Sequence, residues 1–243
     1  MSYKAIIFDY IGTLVNSEGY SMANSCRTLY NALKEEGFDV AEEKFLSAYN
    51  FAHEKYRKIR YEQYKEVTNA VWVSEALSNL GFKVKEDDCS IKAALNVFFD
   101  DFIRTLVLRK GAEEVLKQVS TKYKVGLISN FTHAPVIHKS LRKIRIHQYF
   151  NAIVISEDFG WRKPSSEIFH YTLNRLKIKP EEAVFIGDSP LEDIKGANAI
   201  GLKTIFASSQ FNTQKNLQAS GQKPDYTVDD LLKILDILPI YSK

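Results

Sequence analysis

The sequence predicts an α/β protein with a doubly wound parallel sheet, interrupted by an inserted all-helical segment. Short continuous apolar runs alternate with segments of helical periodicity in the first 15 residues and again after about residue 106. Residues 16–106 show helical periodicity and no buried strand. Strands that alternate with helices form parallel sheets whose strands are joined by right-handed crossovers.

The expected strands of the sheet are apolar runs of four or five residues that contain mostly Ile, Val, Phe and Ala, a pattern typical of strands buried on both faces. They are Ala5–Phe8, Val125–Ser129, Ala152–Ser156, Ala183–Ile186 and Lys203–Ala207. Helical spacing predicts the connecting helices at residues 112–121, 134–144, 166–177 and 190–199. A last edge strand is expected at Tyr226–Val228, followed by a helix over 229–238.

The inserted segment contains four stripes of apolar residues that recur every three or four positions, which predicts about four amphipathic helices. The stripes are Cys26, Leu29 and Leu33; Phe45, Tyr49, Ala52 and Tyr56; Val73, Leu77 and Leu80; and Leu95, Phe98, Phe99 and Phe102. We expect these aromatic residues to form the core of a helical domain. The predicted division is therefore 16–106 for that domain and 1–15 with 107–243 for the α/β core.

Composition and charge exclude several classes of protein. With 11 Gly and 6 Pro in 243 residues, the chain is neither collagen-like nor of low complexity. No apolar run approaches the roughly 18 residues of a membrane span, so no membrane partner is expected. The net charge of +3 comes from interspersed charges of both signs, so no nucleic-acid partner is expected. Two cysteines cannot build a disulfide framework. Without a signal or transit pattern, the expected location is cytoplasmic, and the expected state is a monomer or homodimer.

Polar residues stand where four of the predicted strands end, at the edge of a parallel sheet where ligands bind. They are Asp9, Ser129, Asn130, Lys163, Asp188 and Asp193. Carboxylate oxygens are the ligands that Mg²⁺ prefers, usually together with a substrate phosphate. A lysine opposite them would neutralise a bound anion, and an aspartate in this place can act as a nucleophile.

Four motifs in chain order resemble those of the haloacid dehalogenase-like (HAD) hydrolase superfamily. They are Phe8-Asp9-Tyr10-Ile11-Gly12-Thr13-Leu14, Leu127-Ile128-Ser129-Asn130, Lys163-Pro164 and Gly187-Asp188 through Asp193. Each motif alone is unspecific, but four in this order at predicted strand ends are specific. The resemblance implies a HAD-like Rossmannoid core, and it implies that the helical insertion is the family's cap domain.

The resemblance also implies catalytic and substrate-binding roles. Asp9 would attack a small anionic substrate and become a covalent aspartyl intermediate. Ser129 would hold the transferring group with Asn130 beside it. Lys163 would offset the negative charge of the nucleophile and of the bound group.

A magnesium site is implied by the same resemblance. Asp9 and Asp188 would be ligands of Mg²⁺, and Asp193 would bind it directly or through water. The backbone carbonyl of Ile11 would supply a further oxygen. Metal and lysine together would stabilise charge during phosphoryl transfer.

One position departs from the family's phosphatase pattern. Phosphatases of this family carry a second Asp two residues after the nucleophile, which protonates the leaving group and then activates water. Ile11 stands there and can do neither. General acid–base catalysis typically contributes about 10²–10⁴-fold to the rate.

Three functions therefore stay open. The first is Mg²⁺-dependent hydrolysis of a small phosphorylated compound. The second is hydrolysis of a carbon–halogen bond, although 2-haloacid dehalogenases of this family usually hold the halide with an Arg about thirty residues after the nucleophile. Val40 lies in that stretch here, and the nearest arginines are Arg27 and Arg57. The third is anion binding or a regulatory function without catalysis.

Four residues near the motifs are predicted to have no catalytic role. Ser189 and Glu192 fit a capping box with Pro190 at the first helical position. His133 and His138 follow the second motif at a helix start and are expected on the surface.

Overall fold

A computed structural model describes residues 3–238, so positions 1, 2 and 239–243 of the predicted core lie outside the described residues. The described residues form eight strands, six of them in one parallel sheet. These are β1 (Ala5–Phe8), β2 (Val15–Ser17), β3 (Leu106–Leu108), β4 (Lys124–Ser129), β5 (Ala152–Ile155), β6 (Ala183–Gly187), β7 (Lys203–Ala207) and β8 (Tyr226–Val228).

The main sheet has the order β5-β4-β1-β6-β7-β8, and every neighbouring pair in it is parallel. The chain runs outward from β1 through β4 to β5, returns to β6 on the other side, and continues to β7 and β8. This order confirms the predicted doubly wound fold. The carboxyl ends of β4, β1 and β6 consequently meet at one edge, where the order reverses.

Strand β1 shows why the sheet is buried on both faces. Its side chains alternate, so that Ile6 and Phe8 join one apolar cluster while Ala5 and Ile7 join the other. All four residues have no exposed surface. A strand buried on both faces fixes the position of the residue that follows it, and the residue that follows β1 is Asp9.

The inserted segment is helical, as predicted. Its helices are α1 (Met22–Glu35), α2 (Glu42–Glu62), α3 (Asn69–Asn79) and α4 (Cys89–Thr105). Side chains cap two of them, since Ser21 accepts from the Asn24 amide and Asp88 accepts from the Ser90 amide at 2.9 Å. Cys26, Tyr56 and Leu80 are half-buried, whereas the other members of the four predicted stripes are buried.

A short antiparallel pair that the sequence analysis did not predict joins the insertion to the core. Strand β2 enters the insertion and β3 leaves it, with Val15 opposite Leu108 and Ser17 opposite Leu106. Three residues are too few to show an alternation of apolar and polar side chains, so the sequence gives no sign of these strands and only their pairing defines them. The predicted limits of the cap domain, 16 and 106, fall within this pair, and the division itself stays a prediction.

The remaining helices cover the sheet. They are α5 (Ala112–Val119), α6 (Ala134–Lys143), α7 (Ser156–Phe159), α8 (Ser166–Leu176), α9 (Lys195–Ala199), α10 (Gln214–Ser220) and α11 (Ile234–Ile237). The helix expected at 190–199 begins with a π-helical turn, Pro190–Ile194, because the amides of Asp193 and Ile194 both donate to the Ser189 carbonyl. Among residues 3–238, no helix is long and apolar enough to cross a membrane.

Candidate active site

Four charged side chains meet where the order of the sheet reverses. Asp9 follows β1, Asp188 follows β6, Asp193 lies in the π-helical turn, and Lys163 lies in the loop between α7 and α8. The Lys163 Nζ is 2.6 Å from Asp9 Oδ1 and 2.6 Å from Asp193 Oδ1. One oxygen from each of the three carboxylates lies within 4.8 Å of the others. We call these four residues the charged floor.

The electrostatics of the charged floor are unbalanced, with three carboxylates against one ammonium group. Burial alone would lower the pKa of Lys163, but the charges of Asp193 and Asp9 raise it above its usual value. Burial and the charge of Asp9 raise the pKa of Asp188 to about 6. Burial also raises the pKa of Asp193 well above the ordinary value, against the opposing effect of Lys163. A further cation would therefore stabilise the ionised floor.

The two oxygens of the Asp9 carboxylate differ in their partners. Asp9 Oδ2 is buried and finds no hydrogen-bond partner among residues 3–238, while Oδ1 of the same side chain accepts from Lys163. A buried oxygen of this kind is costly unless a cation or a substrate engages it. The donor set of three carboxylates fits Mg²⁺, which prefers hard oxygen ligands.

Neighbours of Asp188 hold its carboxylate in place. Ser209 Oγ donates to Asp188 Oδ2 at 2.6 Å, and Asn212 Nδ2 donates to the same oxygen at 3.1 Å. Gly12 packs so closely that a Cβ there would lie 2.4 Å from Asp188 Oδ2, and its φ of +98° also favours glycine. Sequence reasoning missed Ser209 and Asn212, although both follow the carboxyl end of β7.

Arg109 is a second positioning residue that the sequence analysis missed. Its Nη1 donates to the Gly12 carbonyl at 2.6 Å, and its Nη2 donates to the Ser208 carbonyl at 2.6 Å. The side chain thus ties the loop after β1 to the loop after β7. Because these two loops carry Asp9 and the partners of Asp188, Arg109 fixes their spacing.

The second motif supports the loop that carries Lys163. Asn130 Oδ1 accepts from the Lys163 amide at 2.8 Å, and Asn130 Nδ2 donates to the Lys163 carbonyl at 2.9 Å and to Glu192 Oε2 at 2.9 Å. Ser129, at the end of β4, is buried beside it. These bonds position Lys163, and the roles of Ser129 and Asn130 as substrate contacts stay predictions.

The predicted capping box is only half formed. Ser189 Oγ accepts from the Glu192 amide at 3.2 Å, as expected, but Asp193 Oδ2 is the group that accepts from the Ser189 amide, at 2.8 Å. Glu192 is free to accept from Arg162 Nη2 at 2.9 Å because the π-helical turn directs Asp193 to the Ser189 amide. Glu192 therefore links two loops of the site.

The expectation for His133 was wrong. Its ring is buried and stacks on Phe99 of α4, with the centroids 5.0 Å apart and the planes at 8°. Burial lowers the pKa of His133. His138 is only partly exposed, 3.7 Å from the Asp158 carboxylate. The sequence pattern of α6 could not show that α4 covers the start of this helix.

A cavity of about 870 Å³ lies over the charged floor, between the helical insertion and the core. It is lined by every predicted site residue, namely Asp9, Ile11, Ser129, Asn130, Lys163, Asp188 and Asp193. A smaller recess of about 200 Å³ adjoins it, and six residues line both: Tyr20, Met22, Arg60, Phe102, Asn130 and Phe131.

A second cluster of charges lies beside the cavity and joins the insertion to the core. Arg60 Nε is 2.7 Å from Glu66 Oε1, and Arg162 Nη1 is 3.7 Å from the same oxygen. Arg162 Nη2 also pairs with Glu192. We call Arg60, Glu66, Arg162 and Glu192 the ion-pair clamp. Backbone bonds reinforce it, since the Glu66 amide donates to the Gly160 carbonyl at 2.9 Å.

The sequence profile of the haloacid dehalogenase-like hydrolases matches residues 6–207. The chain belongs to this family. The match includes all four motifs and the whole helical insertion, and the resemblance stated from the motifs is thereby confirmed.

Relatives and solved structures of the family are similar over nearly the whole chain. Glyceraldehyde 3-phosphate phosphatase of Methanothermobacter thermautotrophicus is 28% identical over 241 residues, which cover 97% of this chain and 99% of that protein. The structure of a 2-haloacid dehalogenase from Pseudomonas syringae pv. Tomato has a TM-score of 0.70 at 21% identity, covering 97% of each chain. The HAD-hydrolase YfnB from Bacillus subtilis, bound to magnesium, has a TM-score of 0.61 at 20% identity, covering 98% and 99%.

This HAD-like hydrolase does not place the arginines considered for halide binding at its cavity. Arg27 pairs with Glu42 at 3.3 Å, and Arg57 lies 3.7 Å from Glu54, both with exposed side chains. Neither is among the described residues that line the cavity or its recess. Arg60, which does line both, is engaged by Glu66.

Proposed function

We propose that the protein is a Mg²⁺-dependent phosphatase that hydrolyses a small phosphorylated compound through an aspartyl intermediate on Asp9. The observation that carries this proposal is the asymmetry of the Asp9 carboxylate. Lys163 holds Oδ1 at 2.6 Å, while Oδ2 is buried and has no hydrogen-bond partner among residues 3–238. The carboxylate is thus oriented by one oxygen, while the other is held by no hydrogen bond from the described residues.

In the first step, a carboxylate oxygen of Asp9 attacks phosphorus, and the bond from phosphorus to the leaving oxygen breaks. Lys163 keeps the nucleophile oriented through the hydrogen bond from its Nζ to Asp9 Oδ1 at 2.6 Å, and the charges of Asp193 and Asp9 raise the pKa of this ammonium group above its usual value. Ser129 holds the transferring group. Water then cleaves the aspartyl phosphate, which releases inorganic phosphate and restores Asp9.

Asp9, Asp188, Asp193 and the Ile11 carbonyl would hold Mg²⁺. When bound, the ion would neutralise charge on the floor and on the phosphoryl oxygens. Ser209 and Asn212 support this assignment, because they fix Asp188 without neutralising it. The crowding of three carboxylates within 4.8 Å also supports it.

Phosphate chemistry is favoured over dehalogenation by two observations. The relative that matches 97% of the chain is a phosphatase that acts on glyceraldehyde 3-phosphate. Within the described residues, Arg27 and Arg57 point to no halide site, because both are paired outside the cavity.

A panel of phosphate esters and 2-haloacids, assayed with and without EDTA, tests the proposal. We expect release of inorganic phosphate that EDTA abolishes. Halide release in the presence of EDTA would instead assign the protein to the dehalogenases. Ligand-induced thermal stabilisation with neither product would assign it to anion-binding proteins without turnover.

A further inference from the structure

The cavity combines a charged base with aromatic walls. Above the charged floor it is lined by Tyr20, Tyr61, Tyr64, Phe102, Phe131 and Phe211. Its volume of about 870 Å³ is near the upper end of the roughly 300–1,000 Å³ that small-molecule sites occupy. A three-carbon phosphate ester is too small to contact most of these aromatic side chains, which would then face water.

Exposed apolar side chains gather at the rim of the same cavity. Met22, Tyr61, Leu191 and Phe211 all line it, and each is between 47% and 56% exposed. They come from four separate segments of the chain, so their meeting is a result of the fold. Clustered apolar exposure of this kind marks a ligand-binding site.

Aromatic rings form a large part of the lining of the recess beside the cavity. The planes of Phe102 and Phe131 are stacked at 24° with centroids 5.3 Å apart, and Tyr20 meets Phe102 edge-on at 5.1 Å. Its volume of about 200 Å³ has room for one benzene-sized ring, since an apolar cavity of roughly 150 Å³ takes up benzene, and its lining also includes the polar residues His53, Arg60, Asn69, Asn130 and Thr132. Aromatic walls favour a further ring in stacked or edge-on contact.

Ile11 restricts the leaving group independently of the cavity's shape. It lines the cavity at the sequence position whose Asp protonates the leaving group in the family's phosphatases, and an isoleucine side chain cannot donate a proton. A phenol has a pKa of about 10, as in tyrosine, so a phenolate leaves without protonation more readily than an alkoxide.

We infer that the substrates are phosphate monoesters of phenols, with the aromatic ring in the recess and the phosphoryl group over Asp9. This inference rests on the proposed phosphatase function. The bond from an Asp9 oxygen to phosphorus forms as the bond from phosphorus to the phenolic oxygen breaks. The phenolate takes its proton from solvent, and water then releases inorganic phosphate from Asp9.

The first test separates ring recognition from leaving-group chemistry. Steady-state kinetics are measured with 1-naphthyl phosphate, which has a ring, with acetyl phosphate, which has a good leaving group and no ring, and with glyceraldehyde 3-phosphate. We expect a KM for 1-naphthyl phosphate at least tenfold below that for acetyl phosphate, and the lowest kcat for glyceraldehyde 3-phosphate. Hydrolysis of acetyl phosphate with an equal or lower KM would overturn the inference and leave the phosphatase proposal standing. No phosphate from any of the three would overturn both.

The second test uses a matched pair of variants at Tyr20, a half-buried residue that contacts both cavities. Tyr20→Leu removes the ring and Tyr20→Phe keeps it. We expect Tyr20→Leu to raise the KM for 1-naphthyl phosphate roughly three- to tenfold, and Tyr20→Phe to change it less than twofold. Phe51→Leu, at an exposed aromatic residue of α2 outside both cavities, is the control and should match wild type. If Tyr20→Leu raises the KM of acetyl phosphate by the same factor, Tyr20 does not recognise a ring and the inference is wrong.

Discussion

The charged floor and the ion-pair clamp are two clusters of four charged residues at one cavity, the floor buried and the clamp partly buried, and they differ in their balance of charge. In the clamp, two guanidinium groups face two carboxylates, with Arg60 paired to Glu66 and Arg162 paired to Glu192. In the floor, one ammonium group faces three carboxylates. The clamp has equal numbers of opposite charges without a ligand, whereas the floor has an excess of negative charge that a further cation would offset.

This difference indicates a structural role for the clamp and a chemical role for the floor, although both consist of charged residues that look alike in the sequence. The clamp joins the segment after α2 to the loop that carries Lys163, and the Glu66 amide bonds to the backbone of that loop. It therefore fixes the position of aromatic residues that line the cavity, such as Tyr61 and Tyr64, relative to the charged floor. The floor holds the Asp9 oxygen that has no hydrogen-bond partner among residues 3–238, and it is the proposed place of reaction.

Replacement of the proposed nucleophile, Asp9, should have the largest effect. Asp9→Asn keeps the shape of the side chain, but an amide is a poor nucleophile. We expect kcat to fall by about 10⁴-fold or more on any substrate that the wild type hydrolyses. Phosphate release is the measurement, and circular dichroism should show an unchanged fold. Asp158→Asn, at an exposed carboxylate, is the control. Near-normal turnover by Asp9→Asn would show that the floor is not the reaction centre.

Removal of the only ammonium group of the floor should have the next largest effect, on stability. Lys163 is 1% exposed and lies 2.6 Å from two carboxylates. Lys163→Met leaves those carboxylates buried without a cation, and we expect a loss of about 3–5 kcal/mol in the free energy of unfolding without Mg²⁺. Urea denaturation in EDTA measures it.

The same substitution at an exposed pair is the control for Lys163. Lys4 pairs with Glu182 at the surface, so Lys4→Met should cost less than about 1 kcal/mol. Equal losses in the two variants would contradict the view that burial and crowding make the floor depend on a cation.

Mg²⁺ itself should distinguish the two clusters. At a hundredfold excess over its Kd, we expect the ion to stabilise wild type by roughly 3 kcal/mol, seen as a rise in Tm. Asp188→Ala should lose most of this rise. Glu66→Gln, which disturbs the clamp, should lower Tm and yet keep the rise. If Glu66→Gln abolishes it while Asp188→Ala does not, the roles of the two clusters are reversed.

The floor could be predicted from the sequence because short-range patterns fix its members. Asp9, Ser129 and Asp188 each end or directly follow an apolar strand, and parallel neighbours bring such positions together. The clamp could not be predicted in this way. Glu66 and Arg162 are polar residues in irregular segments, far apart in the chain, and only the packing of the insertion on the core makes them partners.

The errors of the sequence analysis have the same cause. His133 looked like a surface residue at a helix start until Phe99 of α4 covered it. Strands β2 and β3 are too short to show alternation and exist through their pairing. Ser209 and Asn212 act on Asp188 only because β7 is the neighbour of β6. Tertiary contact, which a single sequence does not reveal, decides each of these cases.

Addition of a carboxylate to the floor should have the smallest effect and the most selective one. Ile11→Asp supplies the proton donor of the family's phosphatase pattern, which this chain lacks, so alkyl phosphates, whose leaving groups need a proton, should gain more than aryl phosphates. The full general-acid contribution is about 10²–10⁴-fold. We expect nearer tenfold in the alkyl-to-aryl ratio of kcat/KM, because Ile11 packs against the apolar core and its surroundings do not orient a carboxylate.

The Ile11→Asp variant also adds a fourth acid to an unbalanced cluster. We therefore expect a larger rise in Tm on addition of Mg²⁺ than in wild type, because the repulsion that the ion relieves is greater. Ile11→Asn, of similar size but without charge, should show neither the gain on alkyl phosphates nor the larger response to Mg²⁺. If wild type already hydrolyses alkyl phosphates as fast as aryl ones, another group supplies the proton, and Ile11 does not limit the choice of substrate.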